Sequence, residues 1–100
     1  MVPYKIFLSN GAKDELDDIY GYIASSLKEP GTAAALVDEI ERAILSLKQM
    51  PYRNPEREIG LFARKGYRQL LVKNYLVVYR VDEENKQVII LSIRYAKRHF

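Results

Sequence analysis

The sequence contains no cysteine and one histidine in 100 residues, which restricts the chemistry available to it. Disulfides and thiolate metal sites are excluded, and one imidazole cannot form a His-based zinc cluster. Neither a glycine-rich phosphate loop nor a nucleophile elbow is present, so nucleotide hydrolysis has no motif to support it. We therefore expect no cofactor and no metal.

Long hydrophobic runs are also missing. No run approaches the ~20 apolar residues that cross a bilayer, and the opening residues Met1–Lys5 lack the apolar stretch of a signal peptide. The sequence predicts a cytoplasmic protein. With five glycines, four prolines and 48% hydrophobic residues, the composition favours a folded chain with one modest core. We expect a single domain over residues 1–100.

The net charge of +3 is unevenly distributed along the chain. Residues 1–50 carry 5 basic and 8 acidic side chains, which gives −3, whereas residues 51–100 carry 11 and 5, which gives +6. Such a split suggests that one face attracts phosphates or an acidic partner. Ordinary solubility charge explains it about equally well.

Hydrophobic spacing predicts one strand and two helices in the first half. Apolar residues alternate with others in Tyr4–Ser9, which is typical of a strand. A stripe spaced by three and four then predicts a helix capped by Ser9 or Asn10; it comprises Ala12, Leu16, Ile19, Tyr20, Ile23 and Leu27. After a break at Glu29–Thr32, a second stripe runs to Met50-Pro51 and consists of Ala33, Leu36, Val37, Ile40, Ile44 and Leu47.

The second half predicts three strands after an irregular, basic segment. These runs, rich in β-branched and aromatic residues, are 67–72, 75–81 and 87–94, and short connections between them indicate two hairpins. The order is β-α-α-β-β-β. We predict an α+β fold in which the first strand pairs inside an antiparallel sheet and the helical hairpin covers one face.

This order resembles the ParE/RelE toxin superfamily along nearly the whole chain. The resemblance is strongest in Ala12–Ile23, in Ile44–Pro51, and from Gly66-Tyr67-Arg68 through Tyr75–Val81. The long helical hairpin is more similar to the ParE branch than to the RelE branch. The resemblance implies a toxin that a cognate antitoxin holds inactive by wrapping its groove and sheet.

The resemblance leaves the target open, because one scaffold serves several activities. ParE-like members bind and poison DNA gyrase, whereas others cut messenger RNA on the ribosome. RNA cleavage without a metal needs a proton acceptor, a cation beside the phosphate and a proton donor. The candidate residues are Arg68, which matches an arginine usual in the family, Arg80, Arg94, Tyr95, Arg98 and His99. Packing, ion pairing or a solvated terminus explains each of them as well.

One departure from the family pattern bears on this choice. Ribosome-dependent members commonly carry an arginine directly after the position of Tyr75, and here Leu76 stands there. We therefore favour a ParE-like toxin that acts by binding a topoisomerase such as DNA gyrase. The alternative is a ribosome-dependent, metal-independent endoribonuclease acting on mRNA, and a third possibility is an inactive relative retained for antitoxin binding. The basic end of the chain, residues 94–100, is the expected functional edge.

Overall fold

The structure, a computed structural model, describes residues 3–58, 63 and 65–96. The elements in order are β1 (Lys5–Leu8), α1 (Asn10–Gly21), a π-helical turn (Tyr22–Ser26), α2 (Pro30–Leu45), two 3-10 turns (Ser46–Lys48 and Pro51–Arg53), β2 (Arg68–Val72), β3 (Tyr75–Asp82) and β4 (Gln87–Tyr95). This order confirms the predicted α+β arrangement. In these ranges no helix has the length and apolar content needed to cross a membrane.

Both helices begin where the sequence predicted. Ser9 caps α1, because its Oγ accepts a hydrogen bond of 3.1 Å from the Ala12 N–H and so satisfies a donor that a helix start leaves unpaired. Helix α2 begins at Pro30, whose fixed φ and missing N–H suit the first helical position. After α2, Met50 has a φ of 51°, a left-handed conformation that prevents continuation of the helix.

The sheet is mixed, so the prediction of an antiparallel sheet was wrong for its first strand. The strand order is β1-β4-β3-β2, and the two predicted hairpins are present as antiparallel pairs. Strand β1 instead runs parallel to β4, with Lys5 opposite Gln87 and Leu8 opposite Ile90. The helical hairpin carries the chain across one face, which is the kind of crossover that a parallel neighbour requires.

A β-bulge in β4 keeps its apolar residues on the helical side. Val78 lies opposite Ser92, but its neighbour Tyr79 lies opposite Ile90, so Leu91 is an extra residue in β4. Ile90 and Ile93 are both buried, although strict alternation would turn them to opposite faces. The bulge therefore restores Ile93 to the core.

The core lies between the helical hairpin and one face of the sheet, as predicted. Its buried members are Ala12, Leu16, Ile40, Ile44, Leu47, Val72, Val77, Tyr79, Val88, Ile90 and Ile93. All the helical members belong to the two predicted stripes. The opposite face of the sheet, which we call the outer face, carries the residues that alternate with these core positions.

Candidate functional site

An open groove of about 730 Å³ lies where the helical hairpin meets the ends of β3 and β4. Its lining residues are Glu15, Asp18, Ile19, Tyr22, Ile23, Leu27, Tyr75, Ile93, Arg94 and Tyr95. Tyr22 and Leu27 are 60% and 49% exposed, so the groove presents apolar side chains to solvent. We call this surface the aromatic groove. Adjoining exposed apolar side chains of this kind make it a candidate surface for contact with a protein.

Three tyrosines meet in the aromatic groove. The rings of Tyr75 and Tyr95 make an edge-to-face contact with their centres 5.5 Å apart, a favourable geometry for aromatic pairs. Burial raises the pKa of Tyr75, and the neighbouring phenols of Tyr95 and Tyr22 raise it further. Tyr22 and Tyr95 are 60% and 38% exposed, so two of the three tyrosines are accessible from solvent.

Arg94 lies at the rim of the same groove, fixed by Glu15 of α1. The Arg94 Nε donates to a Glu15 carboxylate oxygen at 2.9 Å. The same carboxylate accepts from the backbone N–H of Ile93 at 3.0 Å and from the Ser92 hydroxyl at 3.0 Å. Charged hydrogen bonds of this kind are stronger than neutral ones. Of the predicted site residues, Arg94 and its sequence neighbour Tyr95 both line this groove.

Arg68 lies outside the aromatic groove, and its contacts are with the segment that follows α2. Its Nη1 donates to the backbone oxygen of Asn54 at 2.6 Å, and its guanidinium lies 5.1 Å from the centre of the Tyr52 ring. A weaker ion pair joins it to Glu56 at 3.5 Å. Arg68 lies opposite Tyr79 in the sheet, so its side chain is on the core face. Its hydrogen bonds to Asn54 and Tyr52 hold the segment after α2 against that face.

Arg80 is on the outer face, and therefore points away from Arg68. It alternates with the core residue Tyr79 and lies opposite Ile89 of β4. Hydrogen bonds from Asn85 lower the pKa of Asp82, and the charge of Arg80 lowers it further. Leu76, also on the outer face, lies opposite Arg94. The predicted residues Arg98 and His99 lie outside the described residues, so their position stays a prediction.

Sequence reasoning missed a polar cluster at the other end of the sheet. The Glu83 carboxylate in the turn between β3 and β4 accepts hydrogen bonds from the hydroxyls of Tyr4 at 2.6 Å and Tyr52 at 2.8 Å. It also pairs with Lys86. The bond from Lys86, followed by those from the two tyrosines, lowers the pKa of Glu83 to about 2. The cluster joins the residue before β1, the second 3-10 turn after α2 and the β3–β4 hairpin.

The sequence held only part of the signal for these contacts. Glu15 is one of several acidic residues in the first turns of α1, and nothing in its spacing distinguishes it from Asp14 or Asp17. Its partners are more than 75 residues away along the chain, so only the fold brings them together. Within the described residues, no group of acidic or histidine side chains has the arrangement of a metal site.

Comparisons with a family model and with solved structures both point to type II toxin–antitoxin systems. The family model described as the ParE toxin of the type II toxin–antitoxin system parDE matches residues 6–100. The structure is similar to a chromosomal ParDE toxin–antitoxin system from P. aeruginosa, with 23% identity, a TM-score of 0.77, and coverage of 95% of this chain and 98% of that chain. None of the curated proteins matches the sequence.

Two further solved structures are similar at lower TM-scores. The Mycobacterium tuberculosis toxin–antitoxin complex RelBE2 has 25% identity and a TM-score of 0.65, with coverage of 95% of this chain and 93% of that chain. The intact E. coli RelBE toxin–antitoxin complex has 16% identity and a TM-score of 0.63, with coverage of 95% and 99%. The likenesses to the P. aeruginosa and E. coli structures, both below 25% identity, concern the fold alone.

Proposed function

Because the chain belongs to the ParE toxin family of type II toxin–antitoxin systems, we propose that it arrests growth by binding a bacterial topoisomerase such as DNA gyrase. A cognate antitoxin neutralises it. The observation that carries this proposal is the aromatic groove, whose exposed Tyr22 and Leu27 lie beside Arg94 and Tyr95. Such a surface is built for contact with a protein.

The contacts of the predicted cations favour binding over RNA cleavage. The Nη1 of Arg68 donates to the backbone oxygens of Asn54 and Tyr52, and Nε of Arg94 donates to Glu15. A cation that stabilises a phosphorane must aim its donors at the position of the reacting phosphate. Leu76, which stands where the nuclease branch commonly has arginine, gives that part of the outer face an apolar side chain.

The proposal is tested with purified gyrase. Increasing amounts of the toxin should inhibit supercoiling of relaxed plasmid and should trap a cleavage complex that releases linear DNA after detergent and protease treatment. Tyr95→Ala, which removes an exposed edge of the aromatic groove, should raise the concentration for half inhibition about tenfold, or ~1.4 kcal/mol. Unchanged supercoiling at a large molar excess of toxin contradicts the proposal.

The antitoxin is proposed to cover the aromatic groove. The similar structures from P. aeruginosa, M. tuberculosis and E. coli are named as toxin–antitoxin systems or complexes. The groove offers apolar area for the buried centre of an interface, with Asp18 and Arg94 at its rim, which is the usual distribution in protein complexes. Co-expression with the product of the adjacent reading frame should give a stable complex that no longer inhibits gyrase.

The alternative function is ribosome-dependent cleavage of mRNA. The feature that favours it is Arg80, whose side chain forms no ion pair with the described residues and lies on the outer face of the sheet, as Lys5 does. A basic sheet face of this kind can attract a phosphate backbone. If the toxin leaves mRNA intact in translating ribosomes, or if Arg68→Ala, Arg94→Ala and His99→Ala variants all arrest growth normally, this alternative fails.

A further inference from the structure

The carboxylate of Glu15 on α1 accepts hydrogen bonds from three consecutive residues that are distant in the sequence. It accepts from the Ser92 hydroxyl, the Ile93 N–H and the Arg94 Nε, all on β4. The Glu15 side chain is 27% exposed and that of Arg94 45% exposed. By contrast, the ion pair of Arg42 and Asp38 is 78% and 54% exposed. The Glu15 pair is therefore less weakened by solvent.

The location of Glu15 follows from the lengths of two strands. Strand β1 ends at Leu8, opposite Ile90, whereas β4 continues to Tyr95. Beyond Ile90, no residue of β1 pairs with the edge of β4 that faces away from β3. The N–H of Ile93 points to this unpaired edge, where it donates to Glu15. A Glu15 oxygen takes the position of the missing strand carbonyl. The same carboxylate reaches Arg94, one residue further along.

We propose that Glu15 is a positioning residue, which acts through Arg94 on the growth-arrest target that the aromatic groove binds. An arginine side chain loses rotamer freedom when it is held in one position, and fixing it before binding lowers the cost of association. The charge of Glu15 holds the Arg94 guanidinium at the groove rim, beside Tyr95. This inference rests on the proposed function, in which Arg94 and Tyr95 contact the target.

The test uses Glu15→Gln in the full chain. Glutamine keeps the size of the side chain and an oxygen that accepts from Ile93, but it removes the charge that holds Arg94. The matched control is Asp17→Asn, which makes the same charge change on an exposed residue of the same helix. We expect Glu15→Gln to raise the toxin concentration for half inhibition of gyrase about tenfold, while the control stays within twofold of wild type. Growth arrest at graded inducer levels should show the same order.

A double-mutant cycle with Arg94→Ala separates positioning from a role in folding. If Glu15 acts through Arg94, adding Glu15→Gln to the Arg94→Ala variant should cause no further loss of inhibition. A purely structural residue gives the same tenfold loss in both backgrounds, and that result overturns the inference. Wild-type potency of Glu15→Gln in both the gyrase and the growth assay overturns it too.

The two proposals fail in different ways. A wild-type toxin that arrests growth without affecting gyrase contradicts the topoisomerase target, and the growth assay then still decides the role of Glu15. A wild-type toxin that affects neither gyrase nor growth removes the target that Arg94 would meet, and the inference falls with it. Thermal melting of each variant verifies that the compared proteins are folded.

Discussion

Removal of one buried hydroxyl, in Tyr79→Phe, should destabilise the protein strongly. Tyr79 is fully buried, its hydroxyl donates to the Pro51 backbone oxygen at 2.6 Å, and it accepts from the Asn54 side-chain amide at 3.1 Å. Burial raises the pKa of Tyr79, so the hydroxyl stays a donor at neutral pH. Phenylalanine fits the same space but leaves the buried Pro51 oxygen without its donor.

The expected loss is about 2 kcal/mol, since an unsatisfied buried polar group costs roughly 1–3 kcal/mol. For a domain of this size, that loss lowers the melting temperature by about 8–16 °C. Circular dichroism melts and urea titrations measure both quantities. Tyr20→Phe is the control, because Tyr20 is 42% exposed and its hydroxyl forms no hydrogen bond with the described residues. A change below ~0.5 kcal/mol in Tyr79→Phe would refute the assigned role.

Three further predictions concern acid sensitivity, the segment after α2 and the aromatic groove. Glu83 has its pKa lowered to about 2, so the stability it contributes is present above its unfolded pKa and is lost as the pH falls. The urea midpoint of Glu83→Gln should therefore change less than that of wild type between about pH 5 and pH 2, while Glu84→Gln should follow wild type. Arg68→Ala should cost about 1–2 kcal/mol and speed proteolysis after α2, whereas Arg42→Ala, on an exposed pair, should change urea stability by less than ~0.5 kcal/mol. Leu27→Asp should weaken antitoxin binding at least ~10-fold in calorimetry without lowering the melting temperature; unchanged affinity would contradict the antitoxin site.

Periodicity predicted the elements of this fold but not the direction of β1. The spacing of Tyr4, Ile6 and Leu8 shows which residues share a face of a strand, and the structure packs all three against the core. Whether β1 runs parallel or antiparallel to its neighbour depends on which strand it pairs with. The alternation of apolar residues carries no information about that choice. The bulge at Leu91 was equally invisible, because Val88 to Ile93 is apolar apart from Ser92 and fits more than one register.

The sequence predicted a site at the end of β4, and the functional role of these residues stays a prediction. Arg94 and Tyr95 line the aromatic groove, whereas Arg68 and Arg80 point to opposite faces of the sheet. The face of the sheet to which each arginine side chain points depends on the register of its strand, and the two hairpin turns fix that register. Glu15 could not be identified beforehand, because its partners come from the far end of the chain and exist as a cluster only after folding.

The parallel pairing of the first and last strands has a consequence for synthesis of the protein. Lys5 meets Gln87, so the contact joins nearly the whole length of the chain, and such distant contacts form late. Strand β4, which lies inside the sheet between β1 and β3, is also the last strand to be translated. The helical hairpin therefore emerges from the ribosome before the strands on which it packs. The aromatic groove, whose lining includes Arg94 and Tyr95 of β4, is therefore complete only after β4 has been made.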